Sequence, residues 1–298
     1  IIDITRHHWL ERVTATPYDG LLASPPGRTM PYKAMYDERL LILESIKHAP
    51  LYPSMEEMLI YENKKMLSYW LAAHQVPHPK TWVFYYEKEA LEFINHSTLP
   101  LVGKTSIGAA GSGVRILRSQ QEAREYIQTT FSGQGATHRV GPKWRQKGFL
   151  LRVLKKMLRP QEFKAKLQLY KHLGTENQKD FVILQEYIPH DFEWRCVRIK
   201  DSYFAHKKMK KGDKASGSLI KHYENPPLDL FDFVKEITDK RKFLSQSVDI
   251  FVTPEGQYLV NEMQCVFGQS DPYQMLVDGQ PGRYIRVKGE WVFEAGDY

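Results

Sequence analysis

Apolar positions recur at helical spacing in some stretches of the chain and alternate in others, and each change of period marks an element. After the loop Pro25-Pro26-Gly27, residues 37–48 carry the helical spacing. Ser54-Met-Glu-Glu57 has the form of a capping box, with Ser54 as N-cap and Glu57 three residues on, and starts a helix toward Tyr61. Residues 64–74 continue helical until Pro77 and Pro79 stop them. Residues 81–86 read as a strand, 87–95 as a helix, 99–104 and 114–117 as strands around a glycine-rich turn, and 119–129 as a helix. Further on, 181–188, 194–199 and 203–208 are strands, and 228–238 is an amphipathic helix. Strands and helices alternate without a strict βαβ rhythm, so the expected class is α+β.

The stretch 248–268 carries the most chemistry. Two β-prone runs flank Thr253-Pro254-Glu255-Gly256, which predicts a β-hairpin. Alternation puts Glu262 and Gln264 on one face, and the register set by the turn brings Asp249 opposite residues 260–262. Carboxylates inside apolar runs need a cation or hydrogen bonds to offset their burial. Oxygen ligands of this kind suit Mg²⁺, held by one or two carboxylates together with substrate phosphates. A half-buried hairpin whose acids face water is the alternative reading.

Composition bounds the rest. With 298 residues and 42% hydrophobic content the chain can bury a large core, in one large or two to three smaller domains. Cys196 and Cys265 lie in strand-like runs, which argues against a disulfide framework and fits a reducing compartment. No apolar run is long enough to span a bilayer and no leader precedes Ile1, so a cytoplasmic location is expected; the missing initiator Met suggests a trimmed chain. Net charge is +7, but the segment 139–179 holds 12 Lys/Arg against 2 Asp/Glu, a local +10 that leaves −3 elsewhere. Any partner of this positive charge is therefore acidic and local. Within it, Phe149, Leu150, Val153, Leu154 and Met157 share one helical face, with Arg152, Lys155 and Lys156 opposite. That pattern fits a lid subdomain, a holder of an acidic glycan or lipid-linked precursor, or a peripheral contact of residues 148–158 with an anionic membrane face. Trp144, Phe163 and Tyr170 among the lysines would permit RNA binding, but no RNA-binding motif accompanies them, so nucleic acid is not expected.

Lys104-Thr-Ser-Ile-Gly108-Ala-Ala-Gly111-Ser112-Gly113 follows a strand and precedes another. A P-loop needs a glycine six residues before its lysine, where Thr98 stands, so that motif is absent. A glycine-rich hairpin with free backbone N–H groups to wrap phosphate is expected instead, with Lys104 as a point charge. Gln185-Glu186-Tyr187-Ile188-Pro189 ends an apolar strand, and its edge can offer backbone groups to an adenine ring. Glu193 is placed to accept from ribose hydroxyls. Arg195, Lys207, Lys208 and Lys210 add positive charge.

In this order the parts resemble the ATP-grasp superfamily, over about residues 61–268. The resemblance implies two α/β subdomains clasping a nucleotide: 1–60 as a partial N-terminal segment, 61–184 as the first subdomain with the basic insert 131–180, and 185–298 as the second with the metal site. It falls on Lys64 in Glu-Asn-Lys-Lys, on Lys104 with Gly108, Gly111, Ser112 and Gly113, on the hinge Gln185, Glu186, Tyr187 and Ile188, and on Glu193. The metal set falls on Asp249, Glu262 and Gln264. The stretch 185–195, with Asp213, looks most like glutamate ligases that modify ribosomal proteins. Asn225-Pro226-Pro227, Asn261-Glu-Met-Gln264 and Phe267 to Tyr273 look more like ATP-grasp proteins encoded beside bacterial surface-polysaccharide genes. Two positions depart from the pattern: Gln264 stands where a metal-binding Asn is usual, and Ser247 where D-alanine ligases carry an arginine.

What the resemblance implies is an ADP-forming carboxylate–amine ligase using ATP and Mg²⁺, with Mn²⁺ an acceptable substitute. ATP would phosphorylate a carboxylate, such as the uronic acid of a surface polysaccharide or its precursor, and an amine or amino acid would displace phosphate. Lysines, glycine N–H groups and the metal suffice for such transfer. Arg195, Lys208 and Lys210 are the candidates for the charge on the transferring phosphoryl, without a ranking. The competing readings are a small-molecule or sugar kinase on the same scaffold, and a non-enzymatic nucleic-acid or membrane adaptor. His74 and His78 have ligand-like spacing but no further ligand nearby, and read as surface residues.

Overall fold

The computed structural model describes residues 1–24, 29–108, 113–134, 178–210, 212, 220–268 and 271–298. Gly111, Ser112, Asp213 and the helical face read at 149–157 lie outside the described residues.

The first sixty residues form α1 (Trp9–Ala15), β1 (Leu21–Leu22), α2 (Met30–Ser45), β2 (Leu51–Tyr52) and α3 (Met55–Ile60). Helix α2 begins earlier than its apolar spacing implies, because Thr29 caps it through the N–H of Tyr32 and Pro31 occupies its first turn. The capping box before α3 forms as read: the Ser54 hydroxyl accepts from the Glu57 N–H at 3.3 Å and the Glu57 carboxylate accepts from the Ser54 N–H at 2.9 Å. These elements share a core with Cys265, some two hundred residues later, which packs among Val13, Leu40, Met55 and Met58. Gln246 also donates to the buried Glu57 carboxylate at 2.9 Å.

A four-stranded antiparallel sheet follows, in the order β3 (Thr81–Phe84), β6 (Val182–Glu186), β4 (Leu101–Lys104) and β5 (Val114–Leu117). Helices α5 (Glu87–Asn95) and α6 (Gln120–Phe131) cover one face, where Ala90, Ile94, Tyr126 and Ile127 pack on Leu101, Val182 and Leu184. Gly103 sits under the Tyr126 ring, so close that a Cβ there would lie 2.5 Å from it. Alternation then sends Lys104 and its registered partner Ile183 to the opposite face, buried against α4 (Lys64–Ala73) and the second sheet.

The larger sheet is antiparallel as well. Its order is β11 (Tyr258–Gln264), β10 (Ser245–Val252), β7 (Phe192–Ile199), β8 (Ser202–Met209) and β13 (Gln280–Val287). The short strands β9 (Lys221–His222) and β12 (Leu276–Val277) and the edge strand β14 (Glu290–Ala295) join its rim. The amphipathic α7 (Leu228–Lys240) and α4 (Lys64–Ala73) share its core, bringing Leu230, Phe231 and Val234, and Leu67, Trp70 and Leu71, onto Trp194, Cys196, Val248 and Ile250. Both cysteines are buried and free. The architecture is α+β: helices back two antiparallel sheets, and a cleft runs between their other faces.

Candidate active site between the two sheets

Register builds the site. Strand β10 lies between β11 and β7, so Asp249 faces Glu262 on one side and Arg195 on the other, and Arg195 in turn faces His206 on β8. Directly opposed residues share a face, so Glu262, Asp249, Arg195 and His206 form a row across four strands. Glu193 and Lys208, another opposed pair, stand two residues along on the same face. The pairing of Asp249 with Glu262 falls at the edge of the range 260–262 expected from the hairpin turn.

Asp249 is 1% exposed, and both its oxygens are occupied. Arg195 donates through Nε to Oδ1 at 2.8 Å and through Nη2 to Oδ2 at 2.9 Å, and Lys208 Nζ reaches Oδ2 at 2.5 Å. Burial alone would raise the Asp249 pKa, but Arg195 and Lys208 together hold it well below the usual carboxylate range. Asp249 holds the Arg195 guanidinium pKa up in turn. Lys208 also donates to Glu193 at 2.8 Å; burial pulls its pKa down, and the Asp249 and Glu193 carboxylates outweigh that pull.

Alternation misses one member of the site. Between the pairs Asp249–Glu262 and Ile250–Val260 the register shifts, leaving Asn261 as the extra residue of a β-bulge. In a regular strand Asn261 would face away from Glu262; the bulge turns it into the cleft. There its Nδ2 donates to Glu193 Oε1 at 3.1 Å, and its Oδ1 accepts from Lys104 Nζ at 2.9 Å, tying the two sheets together. Gln264, the amide singled out in the sequence, stands half-buried at the end of β11 opposite Ser247.

Asn63 caps α4 through the Met66 N–H, and the Lys64 N–H bonds the Ser106 carbonyl at 2.8 Å. The Lys64 side chain consequently reaches the cleft, where Nζ donates to the Gly108 carbonyl at 2.7 Å and lies 3.5 Å from Glu262 Oε1. Lys104 is buried, and that burial, aided by the like charge of Lys64, pulls its pKa down to about 8 against the opposing pull of Glu262 and Glu193. At the far side of the glycine loop, Gly113 has a φ of +83° and a Cβ there would meet Thr105 Oγ1 at 1.9 Å, so only glycine fits.

At the end of β6, Gln185 Nε2 donates to Thr81 Oγ1 at 2.8 Å, Glu186 accepts the Lys80 N–H at 2.7 Å, and the Ile188 carbonyl lies 2.7 Å from the His190 ring. Lys210 belongs to this end: its Nζ donates to the Tyr187 hydroxyl at 3.1 Å, away from the row that holds Arg195 and Lys208. The cleft is lined by apolar Ile183 and Val260 together with Gln185, Lys64, Lys104 and Asn261.

Among the described residues no group of three or more His, Cys, Asp or Glu forms a metal cage. The donor set still suits a hard cation that arrives with phosphates, for which one or two carboxylates suffice. Glu262 adjoins Asp249 across the strands, an ion on Asp249 would take the place of Lys208 or Arg195 there, and Glu62, two residues before Lys64, is buried with Oε2 unpartnered. Burial raises the Glu62 pKa, Lys64 opposes this and Glu262 adds to it.

A profile of the RimK-like ATP-grasp domain matches residues 62–134. Curated protein sequences give no match. Among solved structures, N5-carboxyaminoimidazole ribonucleotide synthetase in its ADP complex is similar with a TM-score of 0.52 at 15% identity, over 80% of this chain and 52% of that one. A RimK domain ATP-grasp protein from Sphaerobacter thermophilus DSM 20745 has a TM-score of 0.50 at 14% identity, over 84% and 73%. The synthetase from Thermotoga maritima has a TM-score of 0.50 at 12% identity, over 86% and 54%. Likeness at these identities is likeness of fold, and the chain has the ATP-grasp fold. It spans about half the length of the two synthetases. No described helix is long and apolar enough to cross a membrane.

Proposed function

We propose that this ATP-grasp chain is an ADP-forming carboxylate–amine ligase. The observation that carries the reading is the meeting of Lys64 and Lys104 with Asn261, Glu262, Asp249, Arg195 and Lys208 across one cleft. In the proposed reaction a substrate carboxylate oxygen attacks the γ-phosphorus of ATP and ADP leaves. The amine nitrogen then attacks the acyl carbon, phosphate leaves, and the protons shed by nitrogen pass to solvent. The protein's task is to hold charges in place, because such transfer asks for positioning and electrostatic stabilisation more than covalent help.

Lys64, Lys104 and the backbone of Gly108 to Gly113 would hold the phosphates, Gln185 to Ile188 the adenine, and Glu193 the ribose. Arg195 and Lys208 would meet the charge on the transferring phosphoryl, ahead of Lys210, because both already converge on Asp249 while Lys210 pairs with Tyr187. Asp249 and Glu262, with Gln264 or Asn261 as the amide, would hold Mg²⁺ or Mn²⁺. The ion would supply further charge neutralisation at the phosphates.

For the carboxylate we propose a uronic acid of a surface polysaccharide or its lipid-linked precursor. The local +10 of residues 139–179 would attract such a polyanion. The test is ADP release from a matrix of uronic acids against amino acids. Release that needs both partners, and is lost in Lys104→Ala and Glu262→Gln, supports the reading. Release with a hydroxyl acceptor alone and a stable phosphoester product would identify a kinase instead. No ADP from any pair, with salt-dependent binding of RNA or anionic vesicles that needs no ATP, would leave only an adaptor.

A further inference from the structure

Beyond Arg195 the row ends at His206, which is 2% exposed and has Nδ1 3.0 Å from the Gln274 carbonyl. Residues 271–275 run over this end. They are tied down by Lys221 Nζ and the Tyr223 hydroxyl, which donate to Asp271 Oδ2 at 2.7 and 2.8 Å, and by the Ala205 N–H, 3.3 Å from the Met275 sulfur. Three rings gather beside that carboxylate. His206 and Tyr223 have centroids 5.7 Å apart, and Tyr223 and Tyr273 meet edge to face at 5.0 Å. Lys221, Tyr223, Asp271 and Tyr273 are all partly exposed, so the cluster opens to solvent.

Aromatic faces beside a carboxylate favour a cation, and this cluster already holds one, the Lys221 ammonium. Both of its described donors fall on Oδ2 of Asp271. The remaining oxygen, Oδ1, takes no hydrogen bond from a described residue. Its setting sharpens the point. Lys64, Lys104, Lys208 and Arg195 make the neighbouring cleft a place for anions, whereas an attacking amine arrives as an ammonium ion that those four groups repel. An amine needs a local counter-charge close to the phosphoryl centre. Asp271 accepts from the Tyr223 hydroxyl, the Tyr223 ring lies 5.7 Å from His206, and His206 is the cross-strand neighbour of Arg195.

We infer that His206, Tyr223, Tyr273 and Asp271 form the subsite that receives the ammonium group of the amine substrate. The inference rests on the ligase reading, but binding alone can test it. Tetramethylammonium and acetate serve as unreactive cationic and anionic probes, followed by saturation-transfer NMR on the full chain with ADP and Mg²⁺. Tetramethylammonium is expected to bind the wild type, to weaken about tenfold or more in Asp271→Asn and to recover in Asp271→Glu. In Lys221→Met it should bind more tightly, because the resident ammonium no longer competes, whereas a merely structural Lys221–Asp271 pair predicts loss in both variants. Preference for acetate, equal binding by wild type and Asp271→Asn, or weaker binding in Lys221→Met overturns the inference. A wild type that binds tetramethylammonium yet never releases ADP with any amine sinks the ligase reading and leaves a cation subsite standing.

Discussion

Lys104 sets the expected pH response of the cleft. Burial and Lys64 depress its pKa to about 8, so it is an ammonium below that pH and loses its charge as pH rises through it. With the charge goes the grip on phosphate. The ATP-dependent kcat/KM, which reports the free enzyme, is expected to fall on the alkaline side with a midpoint near 8. Lys104→Arg should move that limb up and out of range, because a guanidinium keeps its proton. ADP-release rates measured across pH check both. For Arg195→Met, Asp249 keeps only Lys208 as a partner inside a buried site, and stability is expected to drop by about 3 kcal/mol, read by chemical denaturation. ADP release should fall at least about 10²-fold in the same variant. That Asp249 pairs within residues 260–262 was legible because a tight turn fixes register locally. Arg195 as the partner of Asp249 was not, since the β7–β10 register is set by residues 46 to 56 apart. Nor was Asn261, because a bulge breaks the period-two rule on which the reading rests.

Elements with a clear period came out as expected. Residues 87–95 and 114–117 fold as α5 and β5 over those spans, and α6 follows its Ser119 cap. Where a cap precedes the apolar stripe, as at Thr29, the helix starts before the stripe does. The closing hairpin of β13 and β14 was not read, although Lys288-Gly289 sits at its turn with positive φ at both residues. Strand β4 ties fold to site most tightly, since Gly103 presses on Tyr126 while Lys104 enters the cleft. Gly103→Ala is expected to cost about 1–3 kcal/mol from overpacking. It should also weaken ATP binding by displacing Lys104, so a melting curve and an ATP titration should shift together. Ser54→Ala, by contrast, removes only a cap and should cost about 1 kcal/mol with ATP binding unchanged.

The molecule holds together through contacts that ignore chain order. Cys265 completes the core of the first sixty residues, and Gln246 bonds the buried Glu57. Deleting residues 1–54 is therefore expected to expose Met55, Met58 and Cys265 together and to yield insoluble or noncooperatively unfolding protein, checked by sedimentation and thermal melts. Composition implied a large core, but not that its parts would interlock in this way. The row of Glu262, Asp249, Arg195 and His206 carries one more consequence. Each member stands on a different strand, so slippage of any strand by one residue would swing its member to the helix-covered side and put an apolar neighbour in its place. Deletions or insertions inside these four strands should therefore be far more damaging than point changes, and a lineage could vary the surrounding loops freely while the strand lengths stayed frozen.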